Sequence, residues 1–139
     1  MGRDLAKPVT AATAGAFAYS PEKIANAVYD GRLGNLPGSD DGWTFRGRGG
    51  SQITGRANYQ KLSTTIGLDL IADPDLVNSP AHFLECAVAD FVQCGCLPFA
   101  AADDSPHVTL RLNGGLIGLA QRRAWLVRWK AALRPPSIA

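Results

Sequence analysis

The run Asp41-Gly-Trp-Thr-Phe-Arg-Gly-Arg-Gly-Gly-Ser-Gln-Ile-Thr-Gly-Arg-Ala-Asn-Tyr59 decides how the rest of the chain reads. Its five glycines, Gly42, Gly47, Gly49, Gly50 and Gly55, let the main chain pass close to another surface or turn through positive φ. Between them stand Trp43, Phe45, Arg46, Arg48, Gln52, Thr54, Asn58 and Tyr59, side chains that stack on rings or exchange hydrogen bonds. An uncharged, hydroxyl-rich ligand such as a sugar calls for that mixture. A P-loop type of phosphate site would bring a lysine, and the run has none. Composition alone leaves a plainer reading equally open, a glycine-rich surface loop held by a few aromatic anchors.

Outside the run, 139 residues make one domain by length, enough to bury a core. Hydrophobic residues at 46% and charged ones at 19% exclude a disordered chain. The net charge of +2 carries no argument for nucleic acid. Arg122, Arg123, Arg128, Lys130 and Arg134 do crowd the last predicted helix, where a solvated face explains them more simply. No apolar run is long enough to span a membrane, and Pro8 to Ala18 is too weakly apolar for an export signal. The expected location is therefore the cytoplasm, without a signal peptide, with any release to a cell wall left to a separate lysis or export system. Cys86, Cys94 and Cys96 form an odd set suited to thiols rather than a disulfide framework. Together with His82 they match no zinc spacing, so no metal is expected.

The pattern is mainly α. One helix is predicted from Pro21 to about Arg32, capped by Ser20, with Glu22 in its first turn. A loop with Gly31, Gly34, Pro37, Gly38 and Gly42 follows, holding at most short extended pieces near Trp43–Phe45. Residues 55–66 read as helix ended by Gly67. Pro80 to about Cys94, capped by Ser79, carries a stripe of Leu84, Ala87, Val88, Phe91 and Val92 expected in the core. Ser105 is expected to cap a short helix from Pro106 to Leu112, ended by Asn113-Gly114-Gly115. The last helix, about Gly118 to Leu133, is expected to bury Leu119, Leu126, Trp129 and Leu133 before Pro135-Pro136 stops it.

The opening run also resembles the signature of family 19 glycoside hydrolases, the chitinase-type enzymes and endolysins of bacteria and phages. The similarity continues through Pro21-Glu22-Lys23-Ile24-Ala25-Asn26-Ala27-Val28-Tyr29 and Arg32-Leu33-Gly34-Asn35 upstream. Downstream it takes in Ile66-Gly67-Leu68-Asp69-Leu70, Asp73-Pro74-Asp75-Leu76-Val77, Leu112-Asn113-Gly114-Gly115 and Gln121-Arg122-Arg123. It covers about residues 16–133. The expected organisation is thus a poorly matching segment, 1–15, before a domain, 16–139, that corresponds to the C-terminal two-thirds of the catalytic domain. The resemblance implies a lysozyme-like bilobal helical fold, incomplete at its N-terminus. It implies inverting hydrolysis of β-1,4-linked N-acetylated amino sugar polymers, chitin or peptidoglycan, in cell wall breakdown. The implied partner is that polysaccharide, met by a monomer without metal, cofactor, nucleic acid or membrane insertion.

Inversion needs a protonated carboxyl for the leaving oxygen and a second carboxylate to activate water, ~6.5–9.5 Å apart. In the family the acid sits in a His-Glu-Ser/Thr-Gly-Gly-like motif, with the second glutamate shortly after. This chain has only Glu22 and Glu85, neither in such a setting, so the general acid is absent. Asp40, Asp41 and the pair Asp103-Asp104 are the available substitutes, but an exposed aspartate lacks the apolar surroundings that keep a carboxyl protonated.

Other roles carry over by resemblance. Thr54 falls where a hydroxyl positions the attacking water, and Arg122 where an arginine orients a catalytic carboxylate. Gln52, Asn58 and Asn113 fall at substrate-binding amides. Each has a plainer alternative: a backbone bond for Gln52, a helix cap for Asn113, a surface charge for Arg122. Trp43 and Tyr59 read as anchors. Gly50-Ser51 replaces a pair usually apolar in relatives, which should loosen the packing behind Gln52. Two further readings stand beside the enzyme: a truncated remnant that only binds glycan or completes a partner, and a nucleic-acid binder resting on the C-terminal arginines.

Overall fold

A computed structural model of the chain describes residues 10–133; the expectations for Pro8, Arg134 and Pro135-Pro136 lie outside them. Seven α-helices form among these residues: α1 Pro21–Tyr29, α2 Asp41–Thr44, α3 Arg56–Ile66, α4 Phe83–Gln93, α5 Leu97–Ala101, α6 Ser105–Asn113 and α7 Leu119–Ala132. Two 3-10 turns, Ala14–Ala16 and Pro74–Asn78, join them, and Arg48 and Ile53 form an isolated antiparallel bridge. The architecture is mainly α, in keeping with a lysozyme-like helical fold. The chain divides in sequence into two compact units between Asp90 and Phe91, inside α4.

The core of the first unit is Phe45, Ile53, Tyr59, Leu62, Leu70, Val77 and Cys86. Helix α3 supplies Tyr59, Leu62 and Ser63 to it from positions three and four apart, with Ile66 packed alongside. Gly67, left-handed at φ +73°, ends the helix where the sequence predicts. Ser63 Oγ donates to the Leu68 carbonyl and accepts from Leu70 N at 3.1 Å, tying down the chain that follows.

Helix α1 stops at Tyr29 rather than Arg32, because Asp30 leaves helical geometry at ψ +119°. Ser20 makes no side-chain cap bond there. The extended pieces expected near Trp43–Phe45 are instead the single helical turn α2. Asn26 dictates that turn: its Oδ1 accepts from Trp43 N at 2.7 Å and its Nδ2 donates to Asp40 Oδ1 at 3.0 Å.

Helix α4 begins at Phe83, since the Ser79 carbonyl accepts from His82 N and Phe83 N while the Ser79 hydroxyl, shielded from solvent, has no partner. The core stripe predicted on α4 is corrected. Leu84, Val88 and Val92 are 71%, 53% and 45% exposed, and Cys86 and Ala89 face the core instead.

In the second unit α6 packs against both α5 and α7. Asp104, not Ser105, caps α6 by accepting from His107 N at 3.1 Å. That bond, with the His107 ring at 2.6 Å, holds the Asp104 carboxyl below the usual range. His107 stacks on Phe99 at 5.0 Å, and the buried Thr109 donates to the Ser105 carbonyl at 2.7 Å. Helix α5, unforeseen in the sequence, carries Pro98 in its first turn. Helix α7 corrects its prediction: none of its residues is buried, Trp129 is 59% exposed, and Leu133 just past its end is 75% exposed.

Candidate functional site

The antiparallel bridge of Arg48 and Ile53, N–H to carbonyl at 3.1 and 2.9 Å, closes a four-residue turn at Gly49–Gln52. Gln52 ends that turn at φ +60°, one of four non-glycine residues with positive φ among the described residues. A left-handed glutamine is strained by ~1–3 kcal/mol, a kind of strain that gathers at functional sites. Its side-chain amide is exposed and bonds to nothing among the described residues, so donor and acceptor are both open to a ligand. Room for that amide depends on Gly47, where a Cβ would lie 2.1 Å from Gln52 Nε2. Two of the five glycines in the run, Gly49 and Gly55, take positive φ, and Gly47 serves instead to allow close approach.

The cluster continues along the chain. Thr54 Oγ1 donates to the Gln52 carbonyl at 2.8 Å, and Asn58 Nδ2 donates to the Thr54 carbonyl at 2.8 Å. With its proton committed, the Thr54 hydroxyl keeps its lone pairs to accept from water, while Asn58 Oδ1 remains an acceptor. Gln52, Thr54 and Asn58 therefore form one neutral group of donors and acceptors. The backbone-bond alternative for Gln52 is not what the geometry shows.

The charged residues of the run do different work. Arg48 is buried and donates to Asp75 Oδ1 at 2.6 Å, the Thr44 carbonyl at 2.7 Å and Tyr59 Oη at 3.1 Å. Tyr59 Oη in turn donates to the Arg46 carbonyl at 2.9 Å, and burial pushes its pKa up. Arg46 lies over the Trp43 ring at 4.0 Å. Arg56 grips buried Asp41 with two hydrogen bonds of 2.7 Å and covers the Phe45 ring. These side chains hold the loop in shape; Asn35, bonded to the Tyr29 carbonyl and Arg56 N, does the same. No local signal marks the Asp41–Arg56 pair, because its members lie fifteen residues apart in the chain.

That pair removes one stand-in for the missing acid. The Arg56 guanidinium holds the Asp41 carboxyl below the usual range, and Leu36 N adds a bond at 2.9 Å, so Asp41 stays ionised and occupied. Asp40 is committed to Asn26, Asp103 to Lys130 and Asp104 to the α6 cap. The loosening expected behind Gln52 is corrected as well: a Cβ at Gly50 would already stand 3.2 Å from Ala87 Cβ and Phe83 Cζ. Ser51 Oγ, beside it, is shielded and unpartnered.

Asn113 and Arg122 belong to the second unit. Asn113 Nδ2 donates to the Ile117 carbonyl at 2.9 Å and Gly114 is left-handed, so Asn113 does close the turn after α6. Arg122, on α7, is half-buried, and its Nε is shielded without a partner. Among the described residues no group of His, Cys, Asp or Glu is placed to hold a metal, and no helix is long and apolar enough to cross a membrane.

Comparison with known proteins follows the same lines. The family described as "Chitinase class I" matches residues 4–91. A "Glycosyl hydrolase family 19 domain-containing protein" of Haemophilus influenzae is 40% identical over 112 residues, covering 79% of this chain and 54% of that protein. "Chitinase 8" of Oryza sativa subsp. japonica is 49% identical over 37 residues, 27% of this chain and 14% of its own. The chain thus spans about half the length of the first of these relatives and far less of the second.

Proposed function

The chain belongs to glycoside hydrolase family 19, and on that premise we propose that it forms the substrate-gripping wall of a hydrolase acting on β-1,4-linked N-acetylated amino sugar polymers, chitin or peptidoglycan, by inversion. The observation that carries the proposal is the strained, unbonded Gln52 amide beside Thr54 and Asn58. Neutral amides and a hydroxyl suit N-acetyl and hydroxyl groups, where a cluster of cations would select anions. In this reading Thr54 accepts a hydrogen bond from the attacking water, which leaves a water lone pair aimed at the sugar. A carboxylate must take the other proton and a protonated carboxyl must reach the leaving oxygen. Neither comes from Asp40, Asp41, Asp103 or Asp104, whose carboxylates are engaged elsewhere, so the acid lies outside these residues. Arg122, with its open Nε, fits the role of orienting such a carboxylate.

The engaged aspartates also favour a second reading, in which this chain alone binds glycan without cleaving it. Titration with chitooligosaccharide, followed by NMR and by product chromatography, separates the two. Binding without products, weakened at least tenfold by Gln52→Ala, supports a gripping wall that needs its acid from elsewhere. Binding that is indifferent to Gln52→Ala overturns the assignment of the site.

A further inference from the structure

The turn that leaves α4 carries two cysteines, Cys94-Gly95-Cys96, and hydrogen bonds define its backbone. Gly95 N donates to the Val92 carbonyl at 2.9 Å and Cys96 N to the Phe91 carbonyl at 3.3 Å, with Gly95 left-handed at φ +69°. Such a pair of bonds is a common way for a helix to end on glycine. It curls the chain and brings the residues on either side of Gly95 together. A residue in helical geometry of either hand sets its neighbours' Cα atoms ~5.4 Å apart, from the radius, rise and turn of the helix. Disulfides bridge Cα separations of about 4.4–6.8 Å, so this turn already holds its cysteines within bonding range.

Access and room both favour a bond between them. Cys94 is partly exposed, while Cys96 is enclosed at the N-cap of α5. An oxidant therefore meets Cys94 first and finds Cys96 as the neighbouring thiol. Gly95 has open space around it, since a Cβ there would meet nothing within 4 Å, so the turn can adjust without displacing a neighbour. The third cysteine, Cys86, is sealed in the core of the first unit, where burial pushes its thiol pKa up.

We propose that Cys94 and Cys96 form a reversible redox modification site, closed to a disulfide by a peroxide and reopened by a dithiol. Hydrogen peroxide gives one oxygen to the Cys94 sulfur, leaving a sulfenic acid and a water. The Cys96 sulfur then attacks the Cys94 sulfur: the S–S bond forms, the S–O bond breaks, and the departing hydroxide takes the Cys96 proton as a second water. Two thiols are oxidised, and one peroxide is reduced to two waters. The C-terminal end of α4 does not favour a thiolate, so nearness rather than acidity drives the closure. A reducing compartment keeps the pair open, and oxidising surroundings close it. A framework disulfide would tie distant segments together, whereas this one staples only the turn between α4 and α5.

The full chain is treated with hydrogen peroxide, denatured, alkylated and mapped by mass spectrometry. The peptide holding Cys94 and Cys96 is expected to be lighter by two hydrogens and to take up no alkyl group, while Cys86 alkylates fully. Dithiothreitol should return both thiols. Variants read the order of events. Cys96→Ala should leave Cys94 as a sulfenic acid that dimedone traps, whereas Cys94→Ala should leave Cys96 at least about tenfold slower to oxidise, because no exposed sulfur precedes it. The proposal is overturned if both thiols survive peroxide, if the disulfide joins two chains, or if wild-type Cys94 is trapped by dimedone while Cys96 stays reduced. Oxidation of Cys96 at the same rate with and without Cys94 overturns it as well. The wild-type map stands whether or not either variant folds.

Discussion

The two units differ in how fully they enclose their large side chains, although Leu84 and Val88 of the first stand exposed as well. The first buries Phe45, Tyr59, Leu62, Leu70 and Val77 almost completely, then wraps them with Arg48, Arg56, Asp41 and Asn35. The second leaves Trp125, Trp129, Leu116 and Ile117 more than half exposed, and its longest helix has no buried residue. Helical spacing marks a face as apolar, but only a neighbour makes that face a core. One unit brings its neighbours with it. The other shows the face and not what covers it.

The comparison breaks most visibly under truncation. Tyr59→Ala should cost about 3–5 kcal/mol, because it empties the site that packs on Phe45 at 5.3 Å and takes one of its partners from Arg48. Trp129→Ala removes a side chain of similar bulk and should cost under about 1 kcal/mol, since more than half of it already meets water. Urea denaturation of both variants checks this. Similar losses would mean that α7 packs far more tightly than its exposure indicates.

A sharper probe is Asp41→Asn, expected to cost about 3 kcal/mol by leaving Arg56 without its charged partner; the partial exposure of Arg56 keeps the value at the low end of such losses. The sign of the pH effect follows from the lowered folded pKa. The contribution of the pair is complete above the unfolded value of about 4 and is lost as pH falls through the lower folded value. Wild type should therefore approach Asp41→Asn in stability below about pH 4. A constant gap between them across that window would show that Asp41 does not titrate with its guanidinium partner.

Much of this was legible in the sequence, and the failures have physical causes. Helix α3 and its Gly67 stop read correctly, because an apolar face and a left-handed glycine are local signals. Of the candidate site residues Gln52, Thr54, Asn58, Asn113 and Arg122, the first three are linked through the Gln52 and Thr54 carbonyls, while the other two lie in the second unit. The serine caps differ from expectation: Ser20 makes no cap bond, Ser79 Oγ bonds to nothing, and Asp104 takes the place expected of Ser105. Ser-Pro predicts where a helix can start, while the cap itself depends on which side chain reaches the open N–H. Arg48 reads as a ligand group because a sequence shows charge without burial. Its partner Asp75, like the Asp41 that holds Arg56, becomes visible only when distant segments meet.

The smallest effect tests why the first unit, so well satisfied elsewhere, keeps one strained residue. Gln52→Gly removes the side chain from a left-handed position that glycine adopts without strain, and should stabilise the chain by about 0.5–1 kcal/mol after the added freedom of the unfolded glycine is counted. It should also abolish chitooligosaccharide binding, because the unbonded amide goes with it. A gain in melting temperature with loss of binding means that the strain is retained for the ligand. If the variant is instead less stable, the glutamine side chain packs against the turn around Gly47 strongly enough to outweigh its backbone strain, and its position then reflects packing rather than recognition.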